Sequence, residues 1–103
     1  MKRNKYGAIK TVVDGFKFDS KKEAARYSQL KLLVKAGVVT KLELQPRYDL
    51  IINTVKCGFY KADFRYFENG KEVVEDVKGM KTPVYNLKKK LIKAIYGIEI
   101  FET

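Results

Sequence analysis

The sequence predicts an α/β fold of the α+β kind: a short N-terminal hairpin followed by α-β-β-β-α-β, with a mixed sheet flanked by helices. Three observations predict it. Asp14-Gly15 and Asn69-Gly70 each separate two alternating apolar runs, a strong hairpin signal because a two-residue type I′ turn needs left-handed backbone at both central positions. Two stretches carry helix signals at both ends: Ser20 with Glu23 before Gly37, and Thr82-Pro83 before Gly97. The 103 residues are 46% apolar, enough for one folded domain, residues 1–103, with one modest core.

Each element follows in order. Residues 1–10 begin Met1-Lys2-Arg3-Asn4-Lys5 and read as a flexible basic arm; no apolar stretch follows, so this is not a secretory signal. Thr11-Val12-Val13 and Phe16-Lys17-Phe18 form the first hairpin. Ser20 and Glu23 make a capping box, and the helix runs to about Ala36, with Gly37 as its stop. Residues 38–45 are a strand, Pro46 interrupts, residues 48–52 continue extended, and 53–58 form a turn. Strands 60–68 and 71–78 enclose Asn69-Gly70, and residues 79–81 are a loop. The second helix runs from Pro83 to about Tyr96, and residues 98–101 close as a last strand.

The second hairpin carries the chemistry. With a two-residue loop, Glu68 faces Lys71, Tyr66 faces Val73, and Asp63 faces Asp76. Opposed side chains share a face, roughly 4.5–5.5 Å apart at Cβ, and like charges there destabilise a sheet unless a cation compensates. A divalent metal with hard oxygen ligands is one such cation. Lys78 shares the face of Asp76 by the two-residue period. The opposite face holds Ala62, Phe64, Tyr66, Val73 and Val77, an apolar set that opposes a one-residue slip. Glu75 is the exception on that apolar face, so Asp76 and not Glu75 is the site carboxylate. The alternative is an ordinary charged hairpin face, solvated and neutralised by Lys61, Arg65 and Lys78.

Composition narrows the chemistry. Lys and Arg number 22 against 12 Asp and Glu, a formal charge of +10 that favours a polyanion, most simply nucleic acid, over a merely soluble basic surface. There is no histidine, which excludes Ser-His-Asp and Cys-His nucleophile systems. The one cysteine, Cys57, excludes an intrachain disulfide and a cysteine-rich zinc site, and fits a reducing, cytoplasmic setting. No apolar run approaches the ~20 residues of a membrane span.

On the first helix Glu23 shares a face with Tyr27, Leu30 and Val34, at the end of a core-facing row; it either reaches the site or only caps Ser20. The second helix has an apolar arc of Val84, Leu87, Leu91, Ile92 and Ile95. Lys88 falls inside that arc and either reaches a phosphate or snorkels from the core edge; Lys89, Lys90 and Lys93 form a basic outer face.

With Asp63, Asp76-Val77-Lys78 and Glu23 set in an α-β-β-β-α-β order, the chain resembles the PD-(D/E)XK nuclease superfamily, over roughly Ser20 to Thr103. The segments Tyr60-Lys61-Ala62-Asp63-Phe64 and Val74-Glu75-Asp76-Val77-Lys78-Gly79 look like a small phage-encoded endonuclease branch, although Ala62 replaces the signature proline. The resemblance implies a restriction-endonuclease-like core and Mg²⁺-dependent hydrolysis of DNA, with Mn²⁺ as a substitute. It implies that Asp63, Asp76 and the Val77 carbonyl hold the metal, that Lys78 stabilises developing charge, and that Glu23 binds a second metal or positions water. Gln45, before its proline, would approach the site. Lys88, Lys89, Lys93, Lys61, Arg65 and Lys5 would hold the DNA backbone. So small a chain has little means of direct base readout. A homodimer selective for branched DNA, such as a Holliday junction, is therefore expected, acting in phage recombination or replication in the bacterial cytoplasm. A non-catalytic nucleic-acid-binding module of the same fold, a non-specific duplex nickase, and a subunit that takes its specificity from a partner are the rival readings.

Overall fold

A computed structural model describes residues 10–77 and 81–103 of the chain. It divides into two compact units, Met1–Val39 and Thr40–Thr103. The expected basic arm, Lys5 included, lies outside the described residues apart from Lys10.

In the first unit, β1 (Thr11–Val13) and β2 (Phe16–Phe18) pair antiparallel with Val13 opposite Phe16. Asp14 and Gly15 have φ of 52° and 78°, the left-handed pair that this turn demands. Helix α1 (Lys21–Lys35) starts where the Ser20 side chain accepts the Glu23 N–H at 3.1 Å, and Gly37 leaves it at φ 78°. Its buried row is Glu23, Ala24, Tyr27 and Leu30, and Phe18 packs on Tyr27 at 5.0 Å between ring centroids. Val34, expected in that row, is 40% exposed. Asp14 accepts from the Tyr27 hydroxyl at 3.0 Å and from Lys31 at 2.8 Å, tying the hairpin turn to the helix.

The second unit is built on a long hairpin whose two arms break at the same level. One arm is β3 (Val39–Leu44) then β4 (Arg47–Ile52); the other is β5 (Val55–Lys61) then β6 (Phe64–Glu68). β4 and β5 form a two-stranded ribbon, whereas β3 and β6 belong to a four-stranded sheet. At the break Gln45 N–H donates to the Asp63 carbonyl at 3.0 Å and Ala62 N–H to the Pro46 carbonyl at 3.1 Å. Pro46 has no N–H to give a ladder and Gln45 turns left-handed at φ 51°, so the strand cannot run straight through. Residues 53–58 were expected to be one turn. Only Asn53 and Thr54 turn, at φ 49° and 70°; Gly58 pairs with Leu50, and a register shift leaves Cys57 without a strand partner, as in a bulge.

β6 and β7 (Lys71–Asp76) pair across Asn69-Gly70 in the expected register, from Glu68 opposite Lys71 to Phe64 opposite Glu75. Helix α2 (Pro83–Tyr96) is capped by Thr82, whose side chain accepts the Tyr85 N–H at 3.1 Å, and ends at Gly97 with φ 69°. It returns the chain to β8 (Phe101–Glu102), parallel to β7, so the sheet order is β3-β6-β7-β8. The last strand starts later than expected because pairing with β7 begins only at Glu75; Ile98 and Ile100 pack into the core before it. The unit is thus a mixed sheet with one helix, and with α1 the chain is an α+β protein.

The core joins Leu50, Tyr60, Ala62, Val74, Tyr85, Ile92 and Ile100. Two expectations change. Val84 and Leu87 are 61% and 57% exposed, because α2 faces inward along Tyr85, Ile92 and Ile95 instead. The β6–β7 hairpin is also buried on both faces: Phe64, Tyr66 and Glu75 on one, Val74 and Asp76 on the other. Among the described residues no helix is long and apolar enough to cross a membrane.

Candidate functional site

Asp63 and Asp76 flank the last pair of the β6–β7 ladder, Phe64 opposite Glu75. Asp63 sits at the break between β5 and β6, held by its backbone on both sides: its N–H donates to the Glu75 carbonyl at 3.1 Å and its carbonyl accepts from Gln45. Its carboxylate Oδ2 accepts the Val77 N–H at 2.7 Å, which closes the hairpin across to the neighbour of Asp76. Asp76 ends β7 and is 1% exposed. The Tyr60 hydroxyl donates to its Oδ2, and its carbonyl accepts the Thr103 N–H at 3.1 Å. Each carboxylate is therefore oriented by a hydrogen bond. That is how first-shell ligands are commonly held in metal sites.

Two tyrosines complete the cluster. Burial pushes the Tyr60 hydroxyl far up, and the Asp76 hydrogen bond and the Asp76, Tyr85 and Asp63 charges add to it. Tyr85 is likewise pushed up, first by burial, then by its 2.6 Å bond to Glu102 and by the charge of Asp76. Both hydroxyls therefore stay protonated donors among carboxylates. Glu102 lies opposite Asp76 in the parallel β7–β8 register. The Tyr85 hydroxyl, then Lys89 at 3.1 Å and Lys81 at 3.2 Å, pull its carboxyl down to about 2 against the opposing effect of burial. Glu75, the carboxylate that broke the apolar pattern, is satisfied on its own face by Tyr66 at 2.6 Å and Thr103 Oγ1 at 2.9 Å. It is tied into the fold by these two hydroxyls.

The sequence-derived set divides as follows. Asp63, Asp76 and Val77 come together. Lys78 lies outside the described residues. Glu23 is buried in the first turn of α1, in the other compact unit. Gln45 is exposed and joins Asp63 through its backbone. The lysines and arginine assigned to the DNA backbone are mostly engaged: Arg65 pairs with Glu72 at 2.5 Å and Lys93 with Glu99 at 2.8 Å. Lys89 also pairs with Glu102, at 3.1 Å, while its side chain stays 40% exposed. Lys88 lies over the Phe59 ring at 5.3 Å, and Lys61 is exposed.

Sequence reasoning missed Tyr60, Tyr85 and Glu102. Period-two counting puts Tyr60 on the face away from Asp76, but the break at Ala62-Asp63 inverts the alternation. Tyr85 carried a usable signal, its three-four spacing with Lys88, Ile92 and Ile95, which the run of aliphatic residues outweighed. Glu102 becomes a neighbour only through the crossover to β8.

The donors at the site are all oxygens, a set suited to a hard cation that keeps several waters, as Mg²⁺ does. Among the described residues no group of three or more Asp, Glu, Cys or His could hold a metal, so two carboxylates and a backbone carbonyl are the donors at hand. A cleft of about 430 Å³ is lined by Glu43, Tyr48, Arg65 and Glu72 among others and includes neither aspartate.

The model of a family described as a protein of unknown function, DUF1064, matches residues 3–100, and the chain belongs to that family. No curated protein and no solved structure matches it.

Proposed function

We propose that this DUF1064 member is a metal-dependent endodeoxyribonuclease of the PD-(D/E)XK kind. The observation that carries the reading is the pairing of Asp63 with Asp76 beside Val77, each carboxylate oriented by a hydrogen bond, on a hairpin followed by a helix and a parallel strand. A hairpin used only for structure or for binding DNA gains nothing from setting a half-buried carboxylate near a buried one. Asp63, Asp76 and the Val77 carbonyl would hold Mg²⁺ or Mn²⁺. Bound there, such an ion supplies a water of lowered pKa and neutralises charge on the phosphate.

The chain's own groups do the rest. Tyr60 fixes the Asp76 carboxylate from behind and keeps water from that oxygen. Lys78 would stabilise the charge that develops on the phosphate. The surplus of basic residues would bring the chain to DNA. Selectivity for branched DNA, such as a four-way junction, would come from shape, with a homodimer presenting two sites to symmetric strands, as phage recombination in a bacterial cytoplasm would use. The test is incubation with supercoiled plasmid and with a four-way junction, in Mg²⁺ and in EDTA. Mg²⁺-dependent nicking, faster on the junction, is expected. Saturated binding without a nick in Mg²⁺ or Mn²⁺ would reassign the chain to a non-catalytic binding module.

A further inference from the structure

The outer face of the β4–β5 ribbon holds an aromatic ring braced by cations. Arg47 lies opposite Lys61, and Phe59, two residues before Lys61, shares their face. The Arg47 guanidinium stands 4.1 Å from the centre of the Phe59 ring, and the Lys88 ammonium reaches it from α2 at 5.3 Å. Even with both cations on it, Phe59 stays 41% exposed. Asp49 offsets part of the charge, but it also meets Lys56 at 3.6 Å, so the patch stays cationic. Nothing in the core needs this ring outside: Tyr48, Tyr60 and Leu50 pack inward from the same two strands.

The patch lies on the face of the ribbon opposite the Tyr60 hydroxyl and Asp76. Tyr60, which donates to Asp76, stands between Phe59 and Lys61, and Lys88 is one helical turn beyond Tyr85. An exposed aromatic among cations is the arrangement that binds an unpaired nucleotide: the base stacks on the ring and its phosphates meet the cations. A duplex keeps its bases stacked on each other and can offer only phosphates.

We infer that Phe59, with Arg47, Lys61 and Lys88, is a stacking platform for an unpaired nucleotide on the outer face of the β4–β5 ribbon, so that DNA with a single-stranded segment is preferred to intact duplex. The inference rests on the nuclease reading for its substrate, but binding tests it without cleavage. Fluorescence anisotropy in EDTA at physiological salt would compare a labelled 5′-flap, a single strand and a blunt duplex. Phe59→Ala should weaken flap and single-strand binding about tenfold and leave duplex binding within about twofold. Phe59→Trp keeps the platform. Since the chain has no tryptophan, it also adds a single indole, whose fluorescence should fall when a single strand binds and stay unchanged with duplex. Equal losses on all three DNAs for Phe59→Ala, no loss on any, or an indole that no single strand quenches would each overturn the platform. Mg²⁺-dependent nicking of plasmid by the same variants reports separately on the nuclease reading, which stands if nicking persists while the stacking signal is absent.

Discussion

Replacing Tyr60 with phenylalanine removes one hydroxyl and leaves the ring, so it isolates what that hydroxyl does for Asp76. The Asp76 carboxylate is 1% exposed and the Tyr60 hydroxyl donates to its Oδ2. A hydrogen bond to a charged group contributes about 1.5–3 kcal/mol, and a buried acceptor that loses its donor pays its desolvation in full. Unfolding entropy near ~2.1 cal/mol/K per residue gives this chain about 0.2 kcal/mol/K, so Tyr60→Phe should lower Tm by roughly 7–14 °C at pH 7. Tyr48 is the internal control. Its ring lies 6.5 Å from that of Tyr60 in near-parallel stacking, and its hydroxyl is buried with no hydrogen-bonding partner among the described residues. Tyr48→Phe should leave Tm unchanged or raise it by a few degrees, since removing an unsatisfied buried hydroxyl recovers its desolvation. The assay is thermal unfolding in EDTA followed by circular dichroism, with near-ultraviolet spectra to show that the fold persists. Equal losses in the two variants, or no loss in Tyr60→Phe, would refute the claim that the hydroxyl is what makes a buried Asp76 tolerable.

Tyr85→Phe should act through Glu102, whose carboxyl is pulled down to about 2 chiefly by that hydroxyl. A depressed carboxyl contributes stability that is complete above its ordinary value of 4.5 and is lost as pH falls towards 2, so the Tm gap between wild type and variant should be widest at pH 5–7 and close below pH 3. A gap that is constant with pH would contradict it. Asp63→Asn keeps an acceptor for the Val77 N–H and removes a charge beside Asp76, so Tm in EDTA should hold or rise, whereas Asp63→Ala should cost about 1–3 kcal/mol; equal falls would mean the charge itself is structural. Lys78→Ala should bind Mg²⁺ as wild type does by calorimetry while single-turnover cleavage drops about a hundredfold, and unchanged turnover would remove Lys78 from the chemistry.

The features written in local chemistry were legible from the chain. Ser20, Thr82, Gly37 and Gly97 bound their helices where capping rules put them, and Asn69-Gly70 set a register that brought Asp63 to Asp76. The features set by tertiary packing were not. Gly58 suggested a turn, but a bulge let the strand pass it. The break at Gln45-Pro46 and Ala62-Asp63 stopped the alternation on which the facing of Tyr60 depended, so a tyrosine that the spacing did not single out became the partner of Asp76. On α2 the aliphatic residues Val84 and Leu87 outnumbered the signal from Tyr85, yet burial favoured the tyrosine because its hydroxyl had Glu102 to bind. Lys89, expected as an outer cation, also pairs with Glu102.

The central claim is that the carboxylates at positions 63 and 76 serve metal-dependent cleavage of DNA. Its most direct measurement is single-turnover nicking of a four-way junction in Mg²⁺ by wild type and Asp76→Asn, at protein concentrations that saturate the junction in both. The account predicts a rate for wild type that vanishes in EDTA, and for Asp76→Asn no cleavage above background with binding as tight as wild type or tighter, since one negative charge has left the phosphate's path. Equal rates for the two proteins in Mg²⁺ would contradict it.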